Sequence, residues 1–168
     1  MQFSFFGARK LCPLLSVLVL LNVSVARADK NVSQENARPA PQWVRDGVVY
    51  EIFPRQFSPA GNLNGITARL DELQDLGVTI LWLMPIHPIG TKFRKGDLGS
   101  PFAIADYYAI DPNYGTTNDL KQLVTEAHKR GLKVLMDIVA NHTAWDNVLT
   151  TEHPGFYRQD AAGKIISP

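Results

Sequence analysis

Apolar positions fall into three short runs separated by two stretches of helical spacing. "GVVYEIF" (47–53) is rich in β-branched and aromatic side chains and predicts a strand. After the loop "PRQFSPAGNLNG", Ile66, Leu70, Leu73 and Leu76 recur at helical spacing. Asn64 is placed to cap that helix, and Gly77 to end it as a left-handed residue just past the last turn. "VTILWLMP" (78–85) predicts a second strand, stopped by Pro85. A long loop runs to about Gly115. Thr116 and Asp119 then make a capping-box pattern, with Asp in place of the usual Glu. Leu120, Leu123, Val124 and Ala127 supply the buried stripe of a second helix. Lys129 and Arg130 suit its negative end, and Gly131 closes it. "LKVLMDIVA" (132–140) predicts the third strand.

Near-continuous apolar strands joined by helices imply a parallel sheet covered on both faces. Chemistry in such sheets gathers at the carboxyl ends of the strands, where Arg55, His87, Asn141 and His142 fall. Asp137 is a puzzle, because a carboxylate inside a buried strand costs several kcal/mol, roughly, unless something pairs with it. A doubly wound nucleotide-binding sheet and part of a (β/α)8 barrel both fit the element order. The loop after the first strand lacks G-x-G-x-x-G, and no G-x-x-x-x-G-K-[ST] occurs anywhere, which disfavours phosphate binding. The loop of about 30 residues after the second strand is long enough to be functional.

The front end changes the picture of the chain's destination. Residues 1–28 hold no acid. Arg9 and Lys10 precede an apolar run of about 16 residues, short of the roughly 20 needed to span a bilayer, and Ala26-Arg27-Ala28 follows. The pattern is that of a secretory signal peptide cleaved near Ala28, with no stable membrane anchor. A secreted or periplasmic protein is expected. The single cysteine, Cys12, lies in the removed part. Cleavage removes three of the 17 basic residues and none of the 16 acidic ones, so the formal net charge becomes −2. No basic patch stands out, and nucleic acid is not an expected partner. Residues 29–44 are polar, contain prolines and read as a flexible lead-in.

Four stretches, in order, resemble the α-amylase family of glycoside hydrolases, family 13: "VVYEIFPRQF", "LGVTILWLMPIHP", "GSPFAIADYYAIDPNYGT" and "GLKVLMDIVANHT". The last carries the family's D-x-x-x-N-H pattern. The tail "HPGFYRQDAAGKIISP" is similar to the opening of the domain that the family inserts after its third strand. The resemblance covers roughly residues 45–168. It implies an α/β fold: the first three strands and two helices of a (β/α)8 TIM barrel over 45–146, and the start of the inserted domain over 147–168.

The resemblance also implies residue roles. Asp137 matches an aspartate that supports the site by pairing with an arginine on the next strand. Asn141 matches a ligand of a structural calcium, for which an amide oxygen is suited. His142 matches a histidine that hydrogen-bonds the sugar in the −1 subsite. Asp106 and Tyr107 match a pair that fixes the long loop. Phe102 stands where relatives carry a tyrosine that stacks on the −1 sugar; it keeps the apolar face and lacks the hydroxyl. Trp82 and Phe53 read as core aromatics, His87 as a residue of the pocket rim, and His128 as a solvated helix residue.

The implied activity is hydrolysis of α-glucosidic bonds in starch or maltodextrin with retention, by a nucleophile and an acid/base about 5–5.5 Å apart. In the family those acids lie on strands four, five and seven. None is therefore assigned in this chain, and about 140 residues after the signal fall short of the roughly 250 of a whole barrel. Isolated, the chain is expected to be inactive. A glycosyltransferring or isomerising relative, of the trehalose or isomaltulose synthase type, remains open. So does a non-catalytic sugar-binding relative.

Overall fold

Three parallel strands, β1 (Val49–Ile52), β2 (Ile80–Leu83) and β3 (Lys133–Met136), lie side by side in that order. Val49, Ile80 and Lys133 share one register position and Ile52, Leu83 and Met136 another. This computed structural model describes Ser33 and residues 35–167. Residues 39–167 make up one compact unit. The expected signal segment lies outside the described residues. Among the described residues, no helix is long and apolar enough to cross a membrane. The lead-in expected over 29–44 stops at Pro41: Gln42–Arg45 form a single helical turn, α1, with Asp46 and Gly47 hydrogen-bonded back onto it.

Between β1 and β2 come α2 (Pro54–Phe57), α3 (Leu63–Thr67) and α4 (Leu70–Asp75). The single helix expected here is broken at Ala68–Arg69, and its cap is Asn62 rather than Asn64. Asn62 Oδ1 accepts from the Gly65 amide at 2.9 Å. Asn64 instead donates to Asp119 Oδ1 at 2.9 Å. The break follows from competing partners. Thr67 Oγ1 donates back to the Leu63 carbonyl, a bond that bends helices. Arg69 reaches the Phe57 carbonyl at 2.7 Å and covers the Phe57 ring. Leu76, expected in the buried stripe, is 68% exposed, and Val78 fills the core in its place. Gly77, at φ 87°, turns the chain there. Its amide donates to the Gln74 carbonyl and that of Val78 to the Leu73 carbonyl, which is the Schellman pattern of helix termination.

The helix α5 (Thr117–Lys129) begins at the predicted capping box, with Thr116 and Asp119 exchanging both bonds. Leu123 and Ala127 are buried, and Leu120 packs against the core at its edge. It ends by the same Schellman pairing at Gly131 and Leu132. These helices cover one sheet face, where Ile52, Leu81, Leu83 and Val134 meet Leu63, Ile66, Leu70 and Leu73.

The other face is open apart from Ile80, which is 4% exposed, contrary to the expectation of cover on both sides. Glu51, Trp82 and Leu135 are register partners on it, and Trp82 and Leu135 are 37% and 44% exposed. Trp82 is therefore not a core residue. In a closed barrel this face points inward and is filled by side chains from alternate strands; three strands by themselves leave it uncovered.

Beyond β2, residues 84–116 hold no helix or strand, but the loop folds back on itself. Ile89 and Ile104 form an antiparallel bridge, and the Gly90 amide donates to the Ala103 carbonyl at 2.9 Å. The chain after β3 adds to this layer through Ala144 N to Ile104 O and Val148 N to Ala105 O, both 2.9 Å. It continues into α6 (Leu149–Glu152) and a 3-10 turn at Pro154–Phe156.

Candidate functional site

Asp137 lies one residue past the end of β3, not inside the strand. The expected strand over 132–140 stops at Met136, and one further bond joins Asp137 N to Leu83 O at 2.9 Å. Its β2 neighbour diverges at Pro85, which has no N–H to extend a ladder. Asp137 keeps the alternation of β3, so its side chain emerges on the open face beside Trp82. Trp82 Nε1 donates to Asp137 Oδ1 at 2.9 Å. The partner of this carboxylate is thus an indole from the neighbouring strand, and its position is half-buried rather than deep.

Asn141 and His142 follow on the exposed turn beyond β3 and line an open cleft of about 620 Å3, together with Tyr107, Trp145, Phe156 and Tyr157. Asn141 Nδ2 lies 3.4 Å from His142 Nδ1. Tyr107 ties the turn to the long loop: its hydroxyl donates to the carbonyls of Val139 and, at 3.3 Å, His142. Burial pushes the Tyr107 phenol up, and Tyr157 nearby adds to the rise. At neutral pH the phenol is therefore a proton donor, as both carbonyls require. His87 stands behind Tyr107, ring centroids 5.6 Å apart and edge to face. Its Nδ1 meets the Ala109 carbonyl at 2.8 Å, which places the proton on Nδ1.

Asp106 Oδ1 accepts from the Tyr108 amide at 2.7 Å, a local turn that presents Tyr107. Arg55 lies 5.2 Å over the half-buried Phe53 ring and reaches the Leu98 carbonyl at 3.4 Å. His128 is exposed on α5. Phe102 is 37% exposed and is not among the residues lining the cleft. Calcium takes roughly six to eight oxygen ligands. Among the described residues no group of three or more His, Cys, Asp or Glu gathers to hold a metal. Asn141 Oδ1 would supply one such oxygen.

Two polar residues in this layer escape a reading of the sequence. Asp146 Oδ2 accepts from Thr91 N (2.7 Å), Thr91 Oγ1 (2.8 Å) and Lys92 N (3.0 Å), clasping the loop after β2. Burial by itself would raise the Asp146 carboxyl, but these three bonds outweigh it and hold the group below the usual carboxylate range. Gly90 permits the approach: a Cβ there would meet Ala144 Cβ at 2.2 Å and Asp146 Oδ1 at 2.4 Å. Asn147, 1% exposed, donates to the Ile104 carbonyl at 2.8 Å and accepts from the Leu149 amide at 2.8 Å. The only signal for them was two short side chains suited to loop amides, adjacent and just past His142.

A family model described as alpha amylase, catalytic domain, matches residues 26–157. Trehalose-6-phosphate hydrolase of Bacillus subtilis is 44% identical over 131 residues, which are 75% of this chain and 21% of that protein. An alpha-amylase from Lactobacillus plantarum superposes with a TM-score of 0.71 at 52% identity, over 74% of this chain and 29% of that one. A maltogenic alpha-amylase from Thermotoga neapolitana gives 0.68 at 42% identity, over 72% and 29%. The chain thus spans between a fifth and a third of the length of these relatives.

Proposed function

The chain belongs to the alpha-amylase catalytic-domain family, and from that premise we propose that it forms the first three strands and part of the sugar-binding wall of an exported enzyme that hydrolyses α-glucosidic bonds of starch or maltodextrin with retention. The carrying observation is the placement of His142. It stands at the carboxyl end of the parallel strands, where barrels of this kind do their chemistry, and its exposed ring lines a cleft. Its backbone carbonyl is held by Tyr107 and its Nδ1 faces the Asn141 amide at 3.4 Å, which leaves Nε2 to meet a ligand. An imidazole whose Nδ1 accepts from an amide carries its proton on Nε2 and donates it to a sugar hydroxyl.

Asp137 serves this wall as a support. Its bond to Trp82 fixes the indole and the start of the His142 turn together. It is not proposed as the nucleophile, and the two carboxyls of retaining hydrolysis come from outside this chain. Residues 29–168 alone release no reducing sugar from maltodextrin on this reading. Export follows from cleavage near Ala28, and N-terminal sequencing of secreted protein should then begin near Asp29.

The deciding experiment is His142→Ala in the longest polypeptide that carries this sequence. A hydrogen bond that strengthens as the sugar approaches an oxocarbenium-like transition state is lost mainly from kcat. We expect kcat/KM on maltooligosaccharides to fall about 10–1000-fold, equivalent to roughly 1.4–4 kcal/mol, with Tm nearly unchanged. Phe102→Tyr should change turnover less, since the ring face survives. Intact turnover with a lowered Tm in His142→Ala would make the residue a packing histidine and remove the sugar contact.

A further inference from the structure

Phe93 carries the one positive φ of any non-glycine residue among those described, 59°. The left-handed region is costly for a residue with a Cβ, and for a bulky aromatic it is a true outlier. Its ring is also 75% exposed. A strained backbone that holds an aromatic ring out into solvent points to a use for the ring.

The strain is held from both sides. Before Phe93, Thr91 and Lys92 are fastened by the three hydrogen bonds to Asp146. After it, Arg94 donates to the carbonyls of Gly90 (2.8 Å) and Ile89 (2.9 Å) and closes the turn. Thus fixed, Phe93 meets Trp145 edge to face, centroids 6.1 Å apart and planes at 86°. Trp145 is 42% exposed and lines the same cleft as His142. Phe93 does not itself line the cleft, but its contact with Trp145 joins it to the cleft's edge. Lys92 Nζ lies 5.7 Å from the Phe93 centroid and makes no ion pair among the described residues.

We propose that Phe93 and Trp145 form a carbohydrate-stacking platform on the cleft rim, which takes an uncharged pyranose of an α-glucan chain, with Asp146 as the positioning residue that sets the loop. The inference rests on the proposed function and adds to it a contact separate from that of His142. A pyranose offers an apolar face of C–H groups and a polar edge of hydroxyls. The rings match the first, and the Lys92 ammonium, a donor with three hydrogens, matches the second. Continuity with the cleft favours a long chain over a single sugar.

The test is binding of maltoheptaose and of glucose to the full chain, by titration calorimetry, in the wild type and in Phe93→Asn, Trp145→Ala and Asp146→Asn. Aromatic contacts of this kind correspond to about 3–10-fold in affinity. Maltoheptaose binding should weaken by that factor in Phe93→Asn and Trp145→Ala, and glucose binding should not change. Phe93→Asn should raise Tm by roughly 2–4 °C while it weakens binding, because asparagine tolerates the left-handed region. Asp146→Asn keeps an acceptor oxygen and should weaken maltoheptaose binding by less than the ring variants. A wild-type chain that does not bind maltoheptaose overturns the platform. So do ring variants that lower Tm and leave the maltoheptaose Kd alone, which would mark a protein-packing surface. Binding through the rings without glycosidic turnover in the longer protein would instead overturn the hydrolytic reading and leave the platform standing.

Discussion

The helix side of the sheet and the loops beyond its carboxyl ends are held together by different forces. On the helix side, Leu63, Ile66, Leu70, Leu73 and Leu123 close over Ile52, Leu81 and Leu83, all at 4% exposure or less. Few side-chain hydrogen bonds join these elements, and most, such as Asn64 to Asp119, sit at the surface. In the loop layer the apolar share is small: Ile86, Ile89, Ile104 and Ala144 are buried. Position is set instead by Tyr107 on the His142 turn, Asp146 on Thr91 and Lys92, and Asn147 on Ile104. Apolar burial is non-directional and tolerates swaps of similar volume. Hydrogen bonds fix distance and angle. A site that must place an imidazole and a ring against one sugar gains more from the second kind.

The contrast breaks most sharply at Leu81, which is fully buried in the central strand. Leu81→Ala should destabilise the fold by about 2–5 kcal/mol through lost burial and a residual cavity, a large part of a typical domain's total. A urea midpoint that implies a loss under about 1 kcal/mol would mean that the helix side is not the stabilising layer.

Asn147→Ala sharpens the other half. It removes one of two donors to the Ile104 carbonyl and the acceptor for Leu149 N, for a loss of about 1–2 kcal/mol. The effect should be local. Amide exchange should speed up at Ala144 and Val148, which donate to the Ile104 and Ala105 carbonyls, while the amides of β2 keep their protection. Uniform loss of protection would show that the two layers unfold as one.

The smallest expected effect is that of acid on the Asp146 clasp. Its carboxyl is held below the usual range when folded. It therefore contributes stability above its unfolded value of about 3.9, and that contribution is lost as pH falls through the folded value. The difference in Tm between wild type and Asp146→Asn should be present at pH 7 and shrink below about pH 4. A difference that persists unchanged at pH 3 would show that the clasp does not depend on the carboxylate charge.

Most of the helix side was legible in the chain itself, because its signals are local. The stripe of Leu120, Leu123 and Ala127 and the Thr116–Asp119 box each act within one or two helical turns, and the turns at Gly77 and Gly131 need only φ values of 87° and 76°. Such interactions form wherever the sequence occurs, so spacing alone predicts them. The motif around Asp137, Asn141 and His142 could be recognised for the same reason, and so could the family. Local reading failed where two nearby candidates competed for one role: Asn62 rather than Asn64 caps α3, and Leu76 gives way to Val78. It could not reach the partners that come from afar. Trp82 meets Asp137, and Thr91 meets Asp146, each across 55 residues. Neither pair has any spacing to betray it, since both depend on two parallel strands delivering their loops to the same end of the sheet. The sequence determined the elements and the chemistry available to them; only the tertiary structure decided which polar groups that chemistry would meet, because hydrogen bonds select partners by distance in space and not along the chain.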